Sequence, residues 1–148
     1  MKVALDTNVL AYAEGTNDAE RKMATLQLIE SLPQDEVVLP VQALGELYNV
    51  LTRKASRSSE SARAAILSWS DAFSTAETSA WAMIAATGLA ADHRLSIWDA
   101  VILAVASEAR CRLLLSEDMQ DGFTWNGVTV VNPYLATKNP LLTAFLQG

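Results

Sequence analysis

Cysteine and histidine are almost missing from this sequence. Its 148 residues include one of each, Cys111 and His93. One thiol excludes a disulfide framework and a cysteine-based zinc site, and one imidazole excludes a multi-histidine metal centre. His93 reads as a surface residue in a polar Asp-His-Arg loop, and no nucleophile–histidine–acid triad can be built around it. Basic side chains are scarce too. Eleven Lys and Arg against seventeen Asp and Glu give a net charge of −6, which lacks the basic footprint usual in nucleic-acid binders. A bound cation would reverse that sign locally. No apolar run approaches the length of a membrane span. The start, Met1-Lys2 and then acidic at Asp6, lacks the apolar core of a secretory signal. These absences predict a cytoplasmic protein with no membrane association. There is no P-loop or GxGxxG stretch, no repeat and no linker.

Apolar residues are plentiful instead. They make up 51% of the chain against 19% charged, the balance of a globular core rather than of disorder. The length suits one domain spanning residues 1–148. Short apolar runs at residues 2–6, 37–39, 113–115 and 128–131 read as buried strands, with a very short one at 74–77. Helical spacing predicts helices over about 18–31, 41–53, 59–72, 78–91, 96–109 and 141–146. In them Met23, Leu26, Ile29, Ile66, Leu67 and Trp69 are expected to face inward, and Trp81 and Trp98 to lie in the core or an interface. Trp125-Asn126-Gly127 reads as a hairpin turn. Short apolar strands alternating with helices predict an α/β fold, a mostly parallel sheet with helices on both faces. In such sheets chemistry gathers beyond the carboxyl ends of the strands.

Four acids stand near those ends. Asp6 follows the first strand, with Thr7 and Asn8 beside it. Glu46 lies on the helix after the second. Asp99 opens the most apolar helix. Asp118 follows Leu113-Leu114-Leu115 and Ser116, with Glu117 and Asp121 close by. Each has an ordinary reading: Asp6 as a turn acid, Glu46 as a solvated helix residue, Asp99 as part of the capping box Ser96-Ile97-Trp98-Asp99, and Asp118 as a loop acid before Gly122. Together they predict something else. Carboxylates drawn into one pocket repel each other, and a hard divalent cation with oxygen ligands relieves that repulsion. Arg53, Lys54, Arg57 and Arg63 surround one loop, where they read either as solvated surface or as contacts for a phosphate backbone.

These motifs resemble those of one family. Val3-Ala4-Leu5-Asp6-Thr7-Asn8-Val9-Leu10 looks like the first motif of PIN-domain nucleases. Glu46 in Gly45-Glu46-Leu47-Tyr48 resembles the second acidic position. Leu95-Ser96-Ile97-Trp98-Asp99-Ala100 resembles the third, and Leu114 to Gly122 the fourth. The length is similar to that of the VapC-type toxins of type II toxin–antitoxin pairs. The resemblance implies a three-layer α/β/α sandwich with a sheet of four or five strands in the order 3-2-1-4-5. It implies an endoribonuclease dependent on Mg2+ or Mn2+, acting on RNA as a homodimer and held in check by a cognate antitoxin protein. Carried over residue by residue, Asp6, Glu46, Asp99 and Asp118 would be the catalytic, metal-binding carboxylates. Thr7, Asn8 and Ser116 would support them, with Asp121 as a further acid. Two rivals are a non-catalytic PIN-like module that binds protein or RNA, and a phosphatase of the haloacid-dehalogenase type. The second wants an aspartate where Asn8 stands.

Overall fold

Val3, Ala4 and Leu5 point alternately to the two faces of their strand, yet none is accessible to solvent. Both faces of the sheet are therefore covered, as a parallel sheet requires. The computed structural model describes residues 1–147. Its strands are β1 (Lys2–Leu5), β2 (Val37–Pro40), β3 (Ser74–Ala76), β4 (Cys111–Leu115), β5 (Thr124–Trp125) and β6 (Val128–Val131). They lie in the order β3-β2-β1-β4-β6-β5. The five parallel strands follow the expected arrangement, and the two-residue β5 adds an antiparallel edge through its pairing with β6. Asn126 and Gly127 both have positive φ, which suits the tight turn that closes this hairpin. Register aligns Val38, Ala4, Leu114 and Val130 across the sheet.

The helices are α1 (Thr7–Ala13), α2 (Ala19–Ser31), α3 (Val41–Arg53), α4 (Ser59–Ala72), α5 (Ala80–His93), α6 (Ile97–Glu108) and α7 (Pro140–Leu146). Sequence spacing did not separate α1. Its seven residues leave directly from β1, and Val9, Leu10, Ala11 and Ala13 are all buried, so no polar face marks a helical period. Side-chain caps start most of the others: Asp18, Ser58, Ser79, Ser96 and Asn139 each accept from backbone N–H groups of the first turn. Residues Ala100 to Ala106 of α6 are all buried, because this helix packs against α5, α3 and three strands.

Several side chains expected inside are not. Met23, Leu26 and Leu67 are exposed, and Trp81 and Trp98 are exposed too, which removes the core alternative for them and leaves the interface one. Thr25 and Leu28 form the inner face of α2, and Ala62 and Ala65 that of α4. Small residues let these helices approach closely, which an apolar-spacing argument passes over. Trp69 is half-buried because its indole N–H donates to Glu14 Oε2 at 2.9 Å.

Leu114 sits wholly buried in the middle of the sheet between β1 and β6. Leu114→Ala should cost about 3 kcal/mol by lost burial and the cavity left behind. Equilibrium urea unfolding should show this as a lower midpoint with an unchanged slope, and a loss under about 1 kcal/mol would contradict the packing described.

Candidate metal centre

The site forms where β1 and β4 run out beside each other. Asp6 is the N-cap of α1 and only 1% exposed. One of its carboxylate oxygens accepts from the Thr7 backbone N–H at 2.7 Å. The other accepts from Ser116 Oγ at 2.7 Å and from Asn8 Nδ2 at 3.3 Å. Ser116, itself buried, also accepts from the Asp118 N–H at 3.1 Å. Asn8 Oδ1 accepts from the Glu117 N–H at 3.3 Å. The polar residues around Asp6 thus brace one carboxylate and fix the backbone that carries the next.

Asp99 arrives from the first turn of α6. Ser96 Oγ accepts from the N–H groups of Trp98 at 3.2 Å and Asp99 at 3.5 Å. The reciprocal half of a capping box, from the Asp99 carboxylate to the Ser96 N–H, is not made. Among the described residues no donor reaches the carboxylate of Asp99 or that of Asp118. One oxygen from each of Asp6, Asp99 and Asp118 lies within 4.8 Å of the others. Folding therefore gathers three of the four acids singled out in the sequence.

Glu46 stands just outside this trio. Its carboxylate accepts from Thr7 Oγ1 at 2.7 Å and from Gln42 Nε2 at 3.0 Å, close enough for its charge to act on Asp99. Asp121 is elsewhere occupied: it accepts from the Asn132 N–H at 2.8 Å and holds the loop after β6. Glu117 is bound by Arg21 and by the Tyr12 hydroxyl. Arg21 lies over the rings of Tyr12 and Tyr134, 5.3 and 4.5 Å from their centroids. Sequence reading missed this latch, because Tyr12 lies on the unrecognised α1 and the inner face of the helix that bears Arg21 was misplaced.

The crowding is visible in the protonation behaviour. Burial pushes the Asp6 carboxyl up to about 7, against the opposing pull of its hydrogen bonds from Ser116 and Thr7, and the charges of Asp99 and Asp118 add to the rise. Asp99 is raised as well, by burial and then by Asp118 and Glu46. Two oxygens bound to one Mg2+ at about 2.1 Å lie at most about 4.2 Å apart. Oxygens already within 4.8 Å of each other, two of them on carboxylates with no protein donor, suit a shared divalent ion.

Comparison with known proteins agrees. The sequence matches the PIN domain family over residues 3–120. The chain belongs to the PIN-domain family. That is a nuclease family, and membership leaves the haloacid-dehalogenase alternative without support. None of the curated proteins matches the chain by sequence. Among solved structures it is similar to the toxin VapC20 of Mycobacterium tuberculosis, at 22% identity and a TM-score of 0.68, covering 79% of this chain and 90% of that one. It is also similar to a toxin–antitoxin complex from Klebsiella pneumoniae, at 21% identity and a TM-score of 0.67 over 90% and 98% of the two chains. FitAcB of Neisseria gonorrhoeae aligns at 20% identity and a TM-score of 0.55, over 89% of this chain and 98% of that one. At these identities the likenesses speak for a PIN fold.

Asp6 ionises near pH 3.8 when unfolded and near 7 when folded. The folded chain holds this proton more tightly, so stability is full below about pH 4 and falls as the pH rises through 7. In the presence of chelator the melting temperature of the unaltered protein should therefore fall between about pH 4 and pH 8. Asp6→Asn cannot ionise, and although its amide N–H2 must face a donor where a carboxylate oxygen accepted, its melting temperature should fall less over that range; a fall as steep as in the unaltered protein would refute the raised pKa of Asp6.

Proposed function

We propose that this chain is a divalent-metal-dependent endoribonuclease, and that it is the toxin of a toxin–antitoxin pair. The observation that carries the reading is the trio Asp6, Asp99 and Asp118, brought within 4.8 Å from β1, α6 and the end of β4. Acids so distant in sequence converge here from three separate elements. Membership of the PIN family supports nuclease chemistry. VapC20 is a toxin that cleaves the sarcin–ricin loop, which supports RNA as the substrate. The toxin–antitoxin complex from Klebsiella pneumoniae supports an antitoxin partner. On this reading residues 1–148 form one PIN-like domain that acts in the cytoplasm as a homodimer.

Asp6, Asp99 and Asp118 would hold Mg2+ or Mn2+, with Glu46 contributing directly or through water. Bound there, the ion would polarise the phosphoryl oxygen and make an attacking hydroxide available near neutral pH. The chain's own residues do the orienting. Ser116 and Thr7 fix the Asp6 carboxylate in one position. Asn8 ties the start of α1 to the backbone that bears Asp118. Thr7 and Gln42 fix Glu46 on the neighbouring wall. Such bracing reduces the reorganisation needed at the moment of reaction. Asp121 serves the fold by holding Asn132.

Asp99→Asn tests the reading with least damage to the fold, since no protein donor depends on the Asp99 carboxylate. With Mg2+ or Mn2+ supplied, cleavage of a structured RNA should fall at least 100-fold while the circular dichroism spectrum is unchanged. Chelation with EDTA should stop the unaltered protein, and added Mn2+ should restore it. Cutting by Asp99→Asn at the original rate would overturn the assignment.

A further inference from the structure

Beside the acidic trio lies a cleft of about 300 Å³, lined on one side by α1 and the turn after it and on the other by α3. Glu46 and Asp118 form the wall it shares with the metal centre. Many of its polar groups are already engaged. Thr7 and Glu46 bind each other, and Asn8 binds Asp6, Ser116 and Glu117. Three are not.

The hydroxyl of Thr16 is the first. Thr16 is 7% exposed, and its Oγ1 is the one buried side-chain polar atom without a hydrogen-bond partner among the described residues. Buried hydroxyls are rarely left so. The backbone offers no slack to relieve it, since the Thr16 N–H donates to Ala11 and its carbonyl accepts from Asp18. The amide of Asn17 is the second, held at the cleft by a residue whose φ is +70°. Lys54 is the third, an exposed cation with no acid partner among the described residues, while nearby Arg57 is committed to Glu14. Tyr12 adds a ring that cannot swing. Its hydroxyl donates to Glu117, Arg21 lies against it, and Tyr134 meets it edge-on at 5.2 Å.

We infer that this cleft is a subsite for one nucleotide flanking the scissile phosphodiester, in which Thr16 and Asn17 read the base and Lys54 meets a phosphate. The inference rests on the RNA-cleaving reading and adds to it a source of sequence preference. The volume suits a single nucleoside and is too small for a base pair. A rigid aromatic side chain, an unoccupied amide and hydroxyl, and one cation are the groups by which proteins hold an unpaired nucleotide. An amide offers a donor and an acceptor together, so it discriminates between base edges. A lone lysine acts as a point charge without regard to base.

The test separates binding from cutting. The four nucleoside 5′-monophosphates, which hold no phosphodiester to cut, are titrated into the full chain with Mg2+ present and followed by backbone amide NMR. We expect saturable shifts at Thr16, Asn17 and Lys54, with affinities that differ about tenfold between the best and worst base. Asn17→Ala and Thr16→Val should bring the four affinities together, and Lys54→Ala should weaken all four alike. Cleavage of a random-sequence RNA pool with Mn2+ should show a preference at one position beside the cut, flattened in Asn17→Ala. If the unaltered chain cuts RNA but the variants keep its base profile, or the nucleotides shift residues elsewhere, the subsite is wrong and the nuclease reading survives. If nucleotides bind at Thr16 and Asn17 yet no RNA is cut, the subsite stands and the nuclease reading fails. Shifts at these residues with an added basic peptide, and none with nucleotides, would assign the cleft to a protein partner and overturn the inference.

Discussion

A carboxylate buried at the end of the central strand is the constraint from which the rest of the site follows. Asp6 has almost no access to water, and an isolated ionised carboxylate in that position is costly. The fold answers with three donors, from Thr7, Asn8 and Ser116. They lessen the cost without removing it, since burial still dominates the protonation of Asp6. Ser116 comes from the strand paired with β1, so the same contact fixes where the chain turns after β4. That turn sets Asp118. The position of one acid thereby determines the position of another more than a hundred residues away.

Helix starts contribute a second compensation. Asp6 caps α1 and Asp99 lies in the first turn of α6, where partial positive charge on unpaired N–H groups favours anions. The continuous burial of α6 from Ala100 to Ala106 makes its placement rigid. An apolar helix packed on three strands cannot slide, so its N-terminal acid is held beside Asp6 even though nothing binds the Asp99 carboxylate. Stability of the core is here converted into accuracy at the site. The opposite strategy is used for Glu46, which lies on the polar side of α3 and is steered by hydrogen bonds from Thr7 and Gln42.

What the sequence made legible was whatever depends on apolar runs and their abrupt endings. The apolar strands end at Asp6, at Pro40 and at Ser116, and the parallel order follows from helices between them. Asp6 and Asp118 were legible because they follow such endings, whereas Glu46 and Asp99 lie on helices. The short, largely buried α1 was hidden, and with it Tyr12 and the wall of the cleft. The inner surfaces of α2 and α4 were misread because Thr25, Ala62 and Ala65 do the packing that larger residues were expected to do. Met23, Leu26 and Leu67 were credited with burial for their hydrophobicity alone, which spacing cannot correct when an apolar residue falls on the outer face. Asn17 stands just before a capped helix start. Asp18 alone makes that cap, and the positive φ of Asn17 has no signal in a single sequence beyond the tolerance of asparagine for it.

The excess of acid bears on how a polyanion could approach. Much of the positive charge near the cleft is spent internally: Arg57 binds Glu14, and Arg21 binds Glu117 while lying on two tyrosines. These pairs tie the loop before α4 to the end of α1 and α2 to the segment after β4, so they shape the cleft instead of attracting a ligand to it. Lys54 is left as the cation facing the cleft. On the proposed function, attraction for phosphate must then come chiefly from a cation held by the carboxylates, which turns a repulsive pocket into an attractive one. Substrate and metal would be coupled in binding for that reason alone. The acidic composition, which counts against a nucleic-acid enzyme when charges are merely summed, is then the condition for making attraction depend on the loaded site.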